Sequence, residues 1–326
     1  MRALLSTITA AALATIAATP AAAQASAQPW PSRTIMLVVA YAPGGTGDVV
    51  ARLIASRLGP ALGQTIVVEN RAGASGAIGT QFVIRAPADG HTLLLGQTAE
   101  IAINHHLTKT PVYNPDRDLM PVALAADAPL ALVVPPDAPY ATLDQLLATA
   151  RATPNGLTFA SAGVGTPGHF AGEFLRLKTK ANLLHVPYKG DALKDVLAGH
   201  VGMFFSGYPA ALPLIRSGSI KVLAVSSAER AAGIPDVATV AELTGIKEFD
   251  LTVWQGFFVP RGTPPEVVSR LNAEINAILA QPDIKQKLSE AGAYVRPLST
   301  DAFAAFVRAQ SDKYRRIAED TGISVE

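Results

Sequence analysis

The sequence has no cysteine among its 326 residues. That removes disulfides, thiolate metal sites, cysteine nucleophiles and a lipid anchor attached through cysteine. It has no excess of charge either: 27 basic residues face 26 acidic ones. A polyanion-binding surface needs a clustered basic surplus, and no such run occurs, so nucleic acid is not an expected partner. Beyond Ala18, charges, glycine or proline interrupt every apolar stretch before it is long enough to span a bilayer.

Several chemical motifs are missing as well. A P-loop requires Lys and then Ser or Thr after its last glycine, whereas Asp48-Val49 follow Gly47 here. The dinucleotide spacing G-x-G-x-x-G fails because Val50 stands where the third glycine belongs. There is no G-x-S-x-G elbow, since Ser75 has Gly76 beside it and Gly73 at the wrong spacing, and no H-E-x-x-H. His105 and His106 are adjacent, so on a helix they should diverge and on a strand face opposite ways. His91, His185 and His200 have no partner at metal-ligand spacing. Neither a catalytic residue, a metal site nor a cofactor is expected, and the chain is expected not to be an enzyme.

What is present begins with the N-terminus. Met1-Arg2 is a short positive start, and Ala3 to Ala18 is an alanine-rich apolar run that Pro20 breaks. This is the pattern of a secretory signal peptide over residues 1–27, with small-x-small cleavage sites after Ala23 or Ala27. The expectation is export to the periplasm and solubility once mature. Removing Arg2 leaves 26 basic against 26 acidic residues, a formal charge of zero.

Short β-branched runs then alternate with helical-period segments, which predicts an α/β architecture. Strands are expected at Ile35–Ala40, Thr65–Glu69 and Thr92–Leu95, with helices at Asp48–Leu62 and Gly76–Arg85 between them. Val49, Val50, Leu53, Ile54, Leu58 and Leu62 should share the buried face of the first helix. The crossovers should be right-handed and the sheet parallel. The same grammar recurs with strands at Leu130–Val134, Leu157–Ala160, Leu184–Val186, Val201–Phe205 and Lys221–Val225. Their helices are expected at Leu143–Arg151, capped by Thr142, and at Pro167–Leu177, Leu193–Ala198 and Ala210–Arg216. A strand at Val253–Val259 and helices at Pro264–Ala280, Asp283–Ala291 and Thr300–Thr321 complete the chain. Two such units predict two lobes, 28–124 plus 226–326 and 125–225, with crossings near Asp127 and Ser226.

Three strand-to-helix junctions carry candidate chemistry. In Tyr41-Ala42-Pro43-Gly44-Gly45-Thr46-Gly47-Asp48, the glycines free the backbone for close approach. The following helix offers unpaired N–H groups and a dipole that favours an anion. Asp48 is alternatively the N-cap that consumes one of those groups, and the whole loop is alternatively an ordinary tight turn. The second junction runs from Ser161 through Gly163, Gly165, Thr166 and Pro167 to His169. Thr166 is placed to cap its helix, and Ser161 and Thr166 to donate hydroxyls to a carboxylate; His169 either contacts a ligand or makes one structural hydrogen bond. The third is Phe205-Ser206-Gly207-Tyr208-Pro209. In open α/β sheets ligands lie outside the carboxyl ends of strands, so the three loops should converge on one cleft. None contains Lys or Arg, so an anion would be held by backbone N–H groups, hydroxyls and helix dipoles.

An ordered set of short motifs covers essentially the whole mature chain: Pro31-Ser32-Arg33-Thr34-Ile35, Tyr41-Ala42-Pro43-Gly44-Gly45 with Asp48, and Val68-Glu69-Asn70-Arg71. Asp89-Gly90-His91-Thr92-Leu93-Leu94, Ala102-Ile103-Asn104, Gly165-Thr166-Pro167 with His169, and His185-Val186-Pro187-Tyr188-Lys189-Gly190 follow. Pro235-Asp236-Val237 with Thr239-Val240, and Gly262-Thr263-Pro264, complete it. With these the chain resembles the Bug, or TctC-type, substrate-binding proteins of tripartite tricarboxylate transport systems.

The resemblance implies a two-lobed periplasmic-binding-protein fold, a type II-like Venus flytrap, with the ligand between the lobes. It implies that the first two loops act as pincers on one ligand carboxylate. Carried over, Tyr41, Ala42, Gly44, Gly45 and Asp48 match the first loop, and Ser161, Gly165, Thr166 and His169 the second. The third loop, with Ser206 and Tyr208, departs: the family often has Asp where Ser206 stands. Its Asn-Pro pair appears here as Asn104-His105. Without an acidic group at 206, the far end of the ligand should be uncharged or acidic: a dicarboxylate, hydroxy acid or aromatic acid. Tyr41, Phe205 and Tyr208 line an aromatic pocket or belong to the core. The function expected is a receptor, by default monomeric, that hands a small organic carboxylate to a membrane permease. A sensor presenting its closed form to a signalling partner, and an exported hydrolase, are the alternatives.

Overall fold

The computed structural model describes residues 29–188 and 192–325. The expected signal peptide, with its cleavage sites after Ala23 and Ala27, lies outside the described residues. The first unit comprises β1 (Ile35–Val39), α1 (Thr46–Leu62), β2 (Ile66–Asn70), α2 (Ala77–Ile84) and β3 (Thr92–Gln97). A short α3 (Pro115–Asp118) leads into a long β4 (Leu119–Val134). The second unit is α4 (Leu143–Ala152), β5 (Leu157–Ser161), α5 (Pro167–Thr179), β6 (Leu183–Pro187), α6 (Leu193–Leu197), β7 (Met203–Gly207), α7 (Tyr208–Arg216) and β8 (Lys221–Val225). Then come α8 (Val240–Thr244), β9 (Thr252–Pro260), α9 (Pro265–Leu279), α10 (Pro282–Glu290) and α11 (Thr300–Thr321).

The strands order as β2-β1-β3-β9-β4-β7-β5-β6, with β8 also on β4. β1 is parallel to β2 and β3, and β5 is parallel to β6 and β7, so each unit is a parallel three-stranded wind. Its strands can be continuously apolar because helices cover both faces; Ile35, Leu37, Val38 and Val39 are at most 1% exposed. α1 buries Val50, Ala51, Ile54, Ala55, Leu58 and Leu62 and stops at Gly63, whose φ of 66° closes the last turn. Val49, expected on that face, is instead 51% exposed. Thr142 caps α4 as expected, accepting from the Gln145 N–H.

The strand expected over Leu130–Val134 extends N-terminally to Leu119. From Leu119 to Pro129 β4 pairs with β9, and from Leu130 onward it pairs with β7 and β8. Residues 119–129 are alanine-rich and carry Pro121 and Pro129, a composition depleted in strands. Pairing with β9 overrides it, with register shifts at Pro121/Ala123 and Leu124/Ala126. One strand thus serves both lobes of this two-lobed α/β fold. Ser226, fully buried, ties β4 to the segment just before β9. Its N–H donates to Leu130 O at 2.9 Å, its hydroxyl accepts from Leu130 N and donates to Leu251 O, and its carbonyl accepts from Leu251 N. α11 packs on β4 and on α5, where Tyr314 meets the Phe170 ring edge-on at 5.2 Å. Among the described residues no helix is long and apolar enough to cross a membrane.

Candidate functional site

The first loop is fastened from below. Asp48 lies in the first turn of α1, whose N-cap is Gly45. Its carboxylate accepts from Gly44 N at 3.0 Å and from the Arg52 guanidinium at 3.0 Å, and the Arg52 bond holds its pKa below the usual carboxylate range. Arg52 also donates to Asn70 Oδ1, and Asn70 Nδ2 donates to Tyr41 O at 3.0 Å, so both ends of the loop are tied to β2. Gly44 has φ 84°, a left-handed conformation that favours glycine, while Ala42 is on the exposed rim. The first helical amide to bond back is Val49, to Gly45 O. The amides of Thr46, Gly47 and Asp48 are therefore the unsatisfied N-terminal donors of α1.

Tyr41 turns its hydroxyl away from the opening. It donates to Glu100 Oε2 at 2.7 Å, and Glu100 Oε1 accepts from Gln97 N at 2.7 Å. Glu100 is fully buried in a wide π-helical turn, Ala99–Ile103, just after β3. Burial pushes its carboxyl up to about 7 against those hydrogen bonds, and burial together with Glu100 raises the Tyr41 phenol well above its ordinary value.

The second loop is closed on itself. Ser161 is fully buried; its Oγ accepts from Gly163 N and lies 3.0 Å from Gly163 O and 2.7 Å from His185 Nε2. Thr166 is the N-cap residue of α5 but makes no cap bond; its hydroxyl donates to Gly163 O at 2.8 Å. Both hydroxyls expected to meet a ligand are thus engaged by the loop itself. Gly165, with φ 80°, has the Leu107 side chain 2.9 Å from where a Cβ would stand. His169 Nδ1 accepts from Gly165 N, and its ring stacks on His185 at 3.8 Å. Burial pushes His169 down to about 3, with His185 adding to the effect, and burial pushes His185 to about 4, so both are neutral near pH 7. A serine–histidine contact of this length has the form of a nucleophile–base pair. Here the serine has no exposed surface, and so low a pKa leaves the imidazole a weak base.

The stack carries a pH prediction. In the unfolded chain both rings titrate near 6.5, and in the folded chain near 3 and 4. Below about 6.5 the unfolded state therefore binds more protons, and stability falls with falling pH. Urea melts at pH 7.5, 6 and 5 should show decreasing midpoints, with a shallower slope for His185→Gln. Equal slopes would remove the stack from the acid response.

Two adjoining cavities of about 170 and 200 Å³ lie between the lobes and share Tyr41, Gln97, Gly207 and Val253. The first is bounded by the start of α5, with Ala162, Thr166, Pro167 and Gly168, and by Phe204 and Phe205. Phe170 is the first α5 amide to bond back, to Thr166 O, which leaves the Gly168 and His169 amides as that helix's orphan donors. The second is bounded by Gly45, Thr46 and Gly47 at the start of α1, and by Ala126, Ala128 and Gln255. The helix N-termini thus face neighbouring compartments. Among the described residues no charged side chain lines either one.

The third loop contributes backbone. Gly207 and Pro209 line the cleft, but Ser206 is 1% exposed, lines neither cavity and donates to Gly207 O. The far end of a ligand therefore cannot be inferred from residue 206. Tyr208 is fully buried against Gly292, with its hydroxyl near Gly233, and is core. His105 and His106 also depart from expectation. A 3-10 turn brings their rings together at 3.8 Å, and both Nε2 atoms reach Ser311 Oγ, at 3.3 and 2.7 Å. Sequence reading passed over Gln97, Gln255 and Glu100, and named Asn70 only within the Val68-Glu69-Asn70-Arg71 motif without a role in the site. Only the polar residues closing the β3 run, Gln97 and Glu100, gave a local signal.

A family model described as the tripartite tricarboxylate transporter family receptor matches residues 50–323. The chain is 39% identical over 290 residues to the UPF0065 protein in the tcbD-tcbE intergenic region of Pseudomonas sp. (strain P51), covering 88% of this chain and 86% of that one. The solved structure of R. palustris Rpa4515 with adipate has a TM-score of 0.83 at 35% identity, over 90% of this chain and 99% of that one. MatC (Rpa3494) from Rhodopseudomonas palustris with bound malate has a TM-score of 0.78 at 32% identity, over 88% and 99%.

Proposed function

Because the chain belongs to the tripartite tricarboxylate transporter receptor family, we propose that it is a periplasmic receptor that captures a small organic carboxylate and delivers it to the membrane permease of such a system. The observation that carries this reading is the pair of helix N-termini, α1 and α5, opening on adjoining cavities lined by no charged side chain among the described residues. An anion there would be met by backbone N–H groups and helix dipoles, and charge-assisted bonds of that kind are about twice as strong as neutral ones. In this reading one carboxylate sits at Gly168 and His169 at the start of α5, with Tyr41 as the opposite wall. The relatives with adipate and malate support a carboxylate as ligand.

The lobes would be 28–124 plus 226–326 and 125–225, closing by hinge motion about the Leu130–Ser226–Leu251 knot. Transport, rather than sensing or hydrolysis, is the role for which the family membership speaks.

A thermal-shift screen over mono-, di- and tricarboxylates, hydroxy acids and aromatic acids tests the reading. A ligand at 100 times its Kd should add about 2.7 kcal/mol to stability and raise Tm by several degrees. If no acid of any class raised Tm, the receptor function would be refuted.

A further inference from the structure

Where β4 meets β9 the sheet has two faces, and the cleft uses one of them. Successive residues of a strand point to opposite sides. Ala126 of β4, Val253 of β9 and Ala293 line the second cleft cavity. Their chain neighbours Asp127, Thr252 and Tyr294 line a separate cavity of about 630 Å³ on the reverse side. Asp127 and Tyr294 are joined there by two backbone bonds, Asp127 N to Tyr294 O at 2.9 Å and Tyr294 N to Asp127 O at 2.7 Å. Gln310 reaches the same cavity from α11.

Two acceptors in this cavity are buried and bare. Gln310 is 6% exposed, and its Oε1 has no hydrogen-bond partner. Asp127 Oδ1 is buried and unpartnered as well, and no Lys or Arg forms an ion pair with this carboxylate among the described residues. Burial pushes the Asp127 carboxyl up, against the Thr252 hydroxyl and the charges of Arg296 and Lys313, with Asp250 adding to the rise. The basic side chains nearby are engaged elsewhere. Lys313 donates to Asp250 O and Oδ2, and Arg230 to Glu242 and to Pro235 O. Arg296 is exposed at the rim, 5.1 Å above the Phe306 ring.

Buried acceptors without a donor are unfavourable, and here they face a cavity large enough to admit one. We propose that this cavity is a second binding site, distinct from the cleft, and that it takes a small organic cation with N–H donors, an amine or a guanidine compound. An anion would bring more acceptors to a place that already has two bare ones, beside the carboxylates of Asp127, Asp250 and Glu229. A neutral donor would leave the charge of Asp127 uncompensated. The volume is that of a small-molecule pocket, and Pro129, Val295 and Phe306 offer an apolar wall to a hydrocarbon stem. Nothing in this inference depends on the receptor reading, because neither Asp127 nor Gln310 borders the cleft.

Calorimetry on the purified protein tests the assignment with butylamine, putrescine and agmatine. Beside them stand tetramethylammonium, which carries charge without N–H donors, and 1-butanol, which donates without charge. The best of the amines and guanidines should bind at least about tenfold more tightly than either control, the scale of one charged hydrogen bond. Asp127→Asn and Gln310→Met, each with its Tm checked, should each weaken that binding by about tenfold or more. If no amine or guanidine bound wild type, if tetramethylammonium bound as tightly, or if both variants kept wild-type affinity, the site would be refuted. The carboxylate screen reads the cleft and this titration the reverse side, so either reading can fail alone.

Discussion

Gly168→Ala should lower carboxylate affinity by about a hundredfold or more and Tm by about 2–5 °C, the scale of 1–3 kcal/mol of overpacking in a chain of this size. A Cβ on Gly168 would stand 2.5 Å from Phe205 O, a backbone atom at the C-terminal end of β7. β7 cannot retreat, because β4 holds it on one side and β5 on the other. α5 must therefore lift at its first turn. Farther along, the helix is locked: Phe170 and Phe174 are buried, and Gly172 lies against the Phe159 ring. The strain falls on the amides of Gly168 and His169, the groups assigned to the ligand carboxylate.

Gly207→Ala is the control. Gly207 borders both cavities, has φ −53°, and has nothing within 4 Å of the added Cβ. It should weaken binding by narrowing the cleft while leaving Tm nearly unchanged. If Gly168→Ala bound and melted like wild type, the start of α5 would not be the carboxylate seat.

Particular residues show how much of this was legible in sequence. The parallel winds followed from β-branched runs separated by amphipathic helices, and Thr300–Thr321 was legible to the residue. Loop positions were legible because glycine, proline and a helix start in succession mark a strand-to-helix junction. The direction of side chains was not. Ser161 and Thr166 look like ligand hydroxyls in sequence, yet a tight loop must satisfy its own carbonyls and amides first, and Gly163 takes both. His169 and His185 form a stack only because β5 and β6 lie side by side, a pairing no local pattern encodes. Gln97 and Gln255 are far apart in the chain and face each other through the β3–β9 register. The long β4 was hidden for the same reason: a long-range partner supplied what its alanines and prolines did not.

Affinity for a carboxylate should fall as pH rises through about 7, and Glu100 is the cause. Its carboxyl, fully buried, is pushed up to about 7 from an ordinary 4.5. Below that value it is largely neutral beneath the cleft; above it, a negative charge sits one hydrogen bond behind Tyr41, which walls both cavities. An ionised Glu100 opposes an anionic ligand, and the ligand in turn holds Glu100 in its protonated form. Binding near pH 7.5 should therefore take up a fraction of a proton, read by calorimetry in buffers of different ionisation enthalpy. Stability follows the same sign. A folded pKa raised above the unfolded one gives stability that is full below about 4.5 and is lost as pH rises to about 7. The loss is on the order of 3 kcal/mol. The acid response of His169 and His185 runs the other way over an overlapping window, so the two partly offset each other between about pH 4.5 and 6.5. Glu100→Gln retains an oxygen acceptor and cannot ionise. It should flatten the affinity profile above pH 6, remove the carboxyl's loss of stability over that range so that only the histidine response remains, and abolish proton uptake. Unchanged profiles in that variant would show that Glu100 is not the group that couples the cleft to pH.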